Sequence, residues 1–109
     1  MADPPRLVET PAGLALTGAL TLRSVPGTYR DATPLIEKSA RSAAGSQTGR
    51  VELDLAGVGR SDSAALAILV QWGRVARDAG ARLSFRNPPP QLLAIARVCA
   101  LDRWLLGPD

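Results

Sequence analysis

Residues 51–70, VELDLAGVGRSDSAALAILV, constrain this chain more than any other stretch, because two incompatible periodicities meet inside it. Val51, Leu53 and Leu55 alternate with Glu52 and Asp54, the two-residue repeat of a strand with one buried face. Over residues 64–79 the apolar spacing becomes helical. Leu66, Leu69, Val70, Gly73 and Ala76 form one stripe, and Ala65, Ile68, Trp72, Val75 and Ala79 form an adjoining one. So wide an apolar surface predicts a well-buried helix. Between strand and helix, Gly57 and Gly59 permit a turn, and Arg60-Ser61-Asp62-Ser63 brings polar side chains to the helix start. Ser61 or Asp62 is then the cap, and a hydroxyl stands where an anion is welcome.

Alternation recurs on either side of this centre. Residues 6–9 read as a short edge strand, and Pro11 and Gly13 turn the chain into a second strand carrying Leu14 and Leu16, an antiparallel pair. Leu83 and Phe85 alternate with Arg82, Ser84 and Arg86 in the last strand. Residues 24–44 contain two helix-opening signals, Ser24 with Pro26 and Thr33 with Pro34, which allow either one kinked helix or a short helix followed by a longer one. Gly80 is placed to end the central helix as a left-handed cap. After the rigid turn at residues 87–90, Leu92, Ile95, Ala96 and Val98 mark a final helix, and Leu101, Trp104, Leu105 and Leu106 are expected to pack back on the core. Residues 1–5 are expected to be a loose end.

Strands joined through helices imply parallel pairing by right-handed crossovers. Every strand nevertheless keeps a polar face, whereas parallel strands covered on both sides read as continuous apolar runs. The fold expected is therefore a two-layer α/β domain, a small mixed sheet with helices mainly on one face. At 109 residues this is a single domain spanning residues 1–109.

Composition excludes several functions. The chain has no histidine, its carboxylates are scattered, and Ser63 has no evident general base, so no catalytic, metal or cofactor site is read. The lone Cys99 cannot form an internal disulfide and, in an apolar segment, reads as a buried inert thiol. The net charge of +3 suggests polyanions, but twelve of the thirteen basic residues are arginines dispersed among acids, with four aromatics in all, a pattern poor for nucleic acid. No apolar run approaches the ~20 residues of a membrane span, and a cytoplasmic protein is expected.

The segment LDLAGVGRSDSAALAIL resembles the signature of STAS domains (sulfate transporter and anti-sigma factor antagonist), in which a strand leads into D-[ST]-x-G-L at a helix start. Here the motif is Asp62-Ser63-Ala64-Ala65-Leu66, with Ala65 where glycine is usual. LALTGAL at residues 14–20 and FRNPPPQLLAIARVCALD at residues 85–102 are similar to other parts of the family. The combination is most similar to the small stand-alone STAS subunits of lipid-asymmetry ABC transporters of Gram-negative bacteria, and next to anti-anti-sigma factors. The first resemblance implies a non-enzymatic accessory subunit that binds the ATPase of a phospholipid-transporting ABC complex, with permease and lipid-binding subunits, peripheral to the inner membrane. The second implies a protein that binds an anti-sigma kinase and is switched by phosphorylation of Ser63. Direct binding of a small ligand, a third use of STAS modules, finds no pocket motif here.

Each candidate residue also has a plain structural reading. Ser63 is either a helix-end serine worth ~1 kcal/mol or, by the resemblance, a phosphorylation site or partner contact. Asp62 is a cap or an interface residue. Arg60 and Ser61 read as exposed beside them, either solvated or touching the partner. Tyr29 is either partly buried core or a binding anchor. Trp72 and Trp104 read as core. Ala65 favours helix over glycine but adds a methyl group that would impede close approach of a partner.

Overall fold

The computed structural model describes residues 4–107. In chain order the elements are β1 (Arg6–Thr10), β2 (Gly13–Leu20), α1 (Val25–Ala44), β3 (Arg50–Ser61), α2 (Ser63–Asp78), β4 (Arg82–Arg86), α3 (Pro90–Val98) and α4 (Asp102–Leu106). The sheet order is β1-β2-β3-β4, with β1 antiparallel to β2 and the two other pairings parallel. This is the mixed two-layer α/β arrangement expected from the alternation.

Register explains which face is covered. Leu14 lies beside Leu53, and Leu53 beside Phe85, so one row of buried side chains crosses three strands. Their neighbours Ala15, Asp54 and Arg86 form the matching row on the opposite face, which no strand residue there fully buries. The core is completed from the helices by Ile36, Ala40, Ile68, Leu69, Trp72, Ala76, Leu92 and Leu105.

The central strand is longer than its sequence suggests. Gly57 and Gly59 are not a turn: neither has a positive φ, and β3 continues through them to Ser61. Pairing with β2 slips by one residue between Ala15 and Thr17 and again between Gly18 and Leu20, so β3 carries two extra residues. Each bulge re-aims the strand, and the buried positions pass from Val51, Leu53 and Leu55 to Val58 and then Ser61.

Of the two arrangements left open for residues 24–44, the single helix is realised. α1 has Pro26 in its first turn, where no amide is needed, and Pro34 in its interior. Thr33 sits immediately before that proline; its hydroxyl donates to the Tyr29 carbonyl and accepts the indole N–H of Trp72 at 3.0 Å. That last bond ties α1 to α2. α2 ends with Ala81 N–H on the Ala76 carbonyl at 2.9 Å and Gly80 N–H on Arg77 at 3.0 Å, Gly80 at φ +91. This is the left-handed cap expected there.

Several expectations are corrected. Residues 1–3 of the expected loose end lie outside the described residues, but the backbone of Pro4 and Pro5 lies against Gly18. A Cβ at Gly18 would come within 2.8 Å of the Pro4 carbonyl oxygen. Val98 is 89% exposed, because the buried face of α3 is Leu92 with Ala96. Cys99, the cap residue of that helix, is exposed rather than buried. Trp104 is only partly core: its ring leans on Phe85 with centroids 5.0 Å apart, leaving it 37% exposed. No helix of the described residues is long and apolar enough to cross a membrane.

Candidate functional site

The end of β3 delivers Arg60, Ser61, Asp62 and Ser63 to one edge of the molecule, and each then meets a different environment. Asp62 is the N-cap of α2, in extended backbone conformation, and one carboxylate oxygen accepts the Ala64 N–H at 2.9 Å. The other accepts the Leu22 N–H, also at 2.9 Å. Its own N–H donates to the Leu20 carbonyl at 3.2 Å. Asp62 therefore pins the loop between β2 and α1 against the start of α2, and both carboxylate oxygens are engaged in doing so.

Ser63 is the first residue of α2, is exposed, and its hydroxyl makes no hydrogen bond among the described residues. Asp62 has taken the capping role, which leaves the Ser63 hydroxyl unused at the positive end of a helix of 16 residues. A phosphate there would gain from the dipole and meet the charge of Asp62 beside it. Arg60 is exposed and in no ion pair among the described residues.

Ser61 contradicts its expected exposure. It is 3% exposed, paired beside Leu20, with its hydroxyl donating to the Gly59 carbonyl at 3.2 Å and its N–H held by the Gln91 side chain at 3.2 Å. The second bulge in β3 turns it inward. Its backbone N–H anchors the strand end to α3 through Gln91, and its side chain, bonded within β3, does not reach the surface.

Ala65 is fully buried, so the methyl group that departs from the family motif points into the core and not at the exposed edge. Tyr29 is 36% exposed on the second turn of α1. α1 and α2 each connect parallel neighbouring strands, and the Asp62–Leu22 bond ties the start of α2 to the loop that opens α1, so the two helices start at the same end of the molecule. Tyr29 thus shares the end that carries Ser63, without a hydrogen bond to Asp62 or Ser63.

Sequence reasoning missed the β2–α1 loop. Leu22, 76% exposed, and the exposed Arg23 are held next to Ser63 by the Asp62–Leu22 bond, 40 residues apart in sequence. Ser24 stiffens the same loop, accepting from Thr21 N–H at 3.0 Å and donating to the Ala19 carbonyl at 2.8 Å. The available signal was an apolar residue between Thr21 and Arg23, outside both periodic segments.

Asp54, on the open face of the sheet, is held below its ordinary ionisation. Its carboxyl lies below the usual range chiefly because it accepts the Ala56 N–H at 2.9 Å, then the Asn87 side-chain amide at 3.1 Å, with the charge of Arg86 adding to both. These are turn and sheet contacts. No group of three or more histidine, cysteine or acidic residues among the described residues is arranged to hold a metal ion.

A mixed four-stranded sheet with helices on one face, and a capped helix starting directly after the third strand with an exposed serine, is the arrangement of a STAS domain. The chain belongs to that family: the family model described as MlaB, STAS domain, matches residues 6–107. Among solved structures it is similar to the MlaB subunit in the Acinetobacter MlaFEDB complex in its ATP-bound Vtrans2 conformation. That match has 25% sequence identity and a TM-score of 0.69, covering 91% of this chain and 97% of the other. It is also similar to the anti-sigma factor antagonist SpoIIAA in its unphosphorylated form, with 14% identity, a TM-score of 0.59, and coverage of 96% and 88%. At that identity the likeness is one of fold. No curated protein matches the chain.

Proposed function

We propose that this chain is a single-domain, non-enzymatic, cytoplasmic accessory subunit of a phospholipid-transporting ABC complex, and that it binds the ATPase through the start of α2. The observation that carries this reading is the near full-length similarity to a subunit of MlaFEDB, at 25% identity. The local geometry supports it. Asp62 presents Ser63 and Leu22 on one braced surface, flanked by Arg60 and Arg23, with Tyr29 at the same end. A rigid domain that binds one conformation of an ATPase better than another shifts its equilibrium by that difference in affinity and needs no chemistry of its own. Nucleotide would belong to the partner, and the association with the inner membrane would be indirect.

The unused hydroxyl of Ser63 also suits a phosphorylation switch, as an antagonist of an anti-sigma kinase requires. The two readings are separated by purifying the tagged chain from its native host, as wild type, Ser63→Ala and Ser63→Glu, and identifying what accompanies it. The expected result is an ABC ATPase with its permease, retained by Ser63→Ala and lost or depleted with Ser63→Glu. Recovery of a kinase-like anti-sigma factor instead, released when Ser63 is phosphorylated, overturns the transporter reading.

A further inference from the structure

A second surface, sharing no residue with the α2 start, lies along β4. This strand is last in the sheet order and pairs only with β3, so its outer edge has no strand beside it. A groove of about 980 Å³ follows that edge. All five residues of β4 line it, and Arg50 and Glu52 of β3 join them, so the groove runs over the strand edge and onto the open face of the sheet. Its far wall is α4, with Trp104 and the 55% exposed Leu106. α4 does not occupy the edge: outside the sheet, residues 83–86 make no backbone hydrogen bond to any described residue. An open row of backbone donors and acceptors of this kind is a template for one more strand.

The charge around the groove selects the occupant. Arg50 and Arg82 stand directly opposite one another across β3 and β4, a like-charged pair that by itself destabilises a sheet. Arg86 and Arg103 also line the groove, and a neighbouring cavity of about 800 Å³, which shares Arg50, Arg82 and Trp104, adds Arg74 and Arg77. Against these six guanidinium groups only one ion pair forms among the described residues, Arg86 with Glu52 at 3.3 Å. A second copy pairing edge to edge, antiparallel about Ser84, would bring Arg82 against the other copy's Arg86 and Arg86 against its Arg82, so the edge repels itself. An acidic chain meets the opposite condition. Carboxylates on alternate residues of an added strand lie on one face of the sheet and can reach guanidinium groups there, while the intervening apolar side chains lie toward Trp104 and Leu106.

We infer that the groove between β4 and α4 binds an extended acidic segment of a partner protein as a fifth strand. Five residues of β4 offer a track of roughly 17 Å, enough for about five residues of ligand.

The test is a titration of the isotope-labelled full chain with an amidated octapeptide of alternating glutamate and valine, followed by backbone amide resonances. Saturable shifts are expected at residues 82–86 and at the Trp104 indole. Combined Arg82→Glu and Arg103→Glu substitution, at two exposed positions, is expected to weaken binding at least about tenfold while the resonance dispersion of the fold is kept. A lysine–valine peptide is expected not to bind. The inference is overturned by an absence of shifts along β4, by equal binding of a serine–valine peptide, or by shifts confined to the start of α2. Concentration-dependent broadening of the β4 amides without peptide would assign the edge to a second copy and overturn it as well. So would binding of phosphatidylglycerol vesicles by a chain that ignores the acidic peptide.

Discussion

At the scale of single residues, adjacent positions at the α2 start do opposite work. Asp62 holds the surface together and Ser63 is displayed by it. Replacing Asp62 with alanine removes an N-cap and a loop anchor at once, and is expected to cost about 1–2 kcal/mol in chemical denaturation. Asp62→Asn, which keeps a side-chain oxygen for the cap, is expected to recover at least half of that loss. The end of α3 offers a gain instead. Leu101 N–H bonds the Ala96 carbonyl at 2.7 Å and Ala100 N–H bonds Arg97 at 3.1 Å, the same helix-ending pattern as at Gly80, but with an alanine at φ +58. A left-handed conformation costs a residue with a Cβ roughly 1 kcal/mol. Ala100→Gly is therefore expected to raise stability by about 0.5–1 kcal/mol, measured by urea denaturation, despite lengthening no contact and filling no cavity.

At the scale of elements, the bond between Thr33 and Trp72 is the one side-chain hydrogen bond that joins the two long helices among the described residues. Thr33→Val keeps the shape and leaves the Trp72 indole N–H without its acceptor, at an expected cost of about 1–3 kcal/mol. The open face of the sheet makes a separate prediction through Asp54. Its carboxyl is held below its ordinary value by the Ala56 and Asn87 bonds, so its contribution is complete above the unfolded value near pH 4 and disappears as pH falls through the folded one. Stability of the wild type measured between pH 3 and 7 is expected to fall at the acid end more steeply than that of Asp54→Asn. The strands and helices were legible in the sequence because each has one wet face, so period two and period 3.6 could be told apart without neighbours. What was not legible depends on pairing. Gly57 and Gly59 are turn signals by local chemistry, yet β2 recruits them into a bulged strand, and that bulge alone hides Ser61 and displays Arg60. Asp62 and Ser63 could be placed because capping is local; Leu22 could not, since only the 40-residue Asp62 contact brings it there. Cys99 and Val98 misled for a related reason: α3 is so short that two buried positions, Leu92 and Ala96, suffice to seat it.

At the scale of the whole molecule, the two surfaces are built differently and should fail independently. The α2 start is braced from inside by Asp62, Ser61 and Gln91, so a change to the exposed Ser63 hydroxyl has no fold contact to remove. Glutamate at this position would even suit the helix dipole, although it faces Asp62 across one peptide. Ser63→Glu is thus expected to move Tm by less than about 4 °C, the range of a neutral surface substitution in a chain of this size. The same substitution should abolish recovery of the ATPase partner while leaving the acidic-peptide titration of β4 unchanged. If Tm drops by much more than this as the partner is lost, Ser63 belongs to the frame that Asp62 builds, and loss of binding would report a disordered helix start. If Tm holds and the partner is lost, the serine is the contact itself, because nothing else at that edge has been altered.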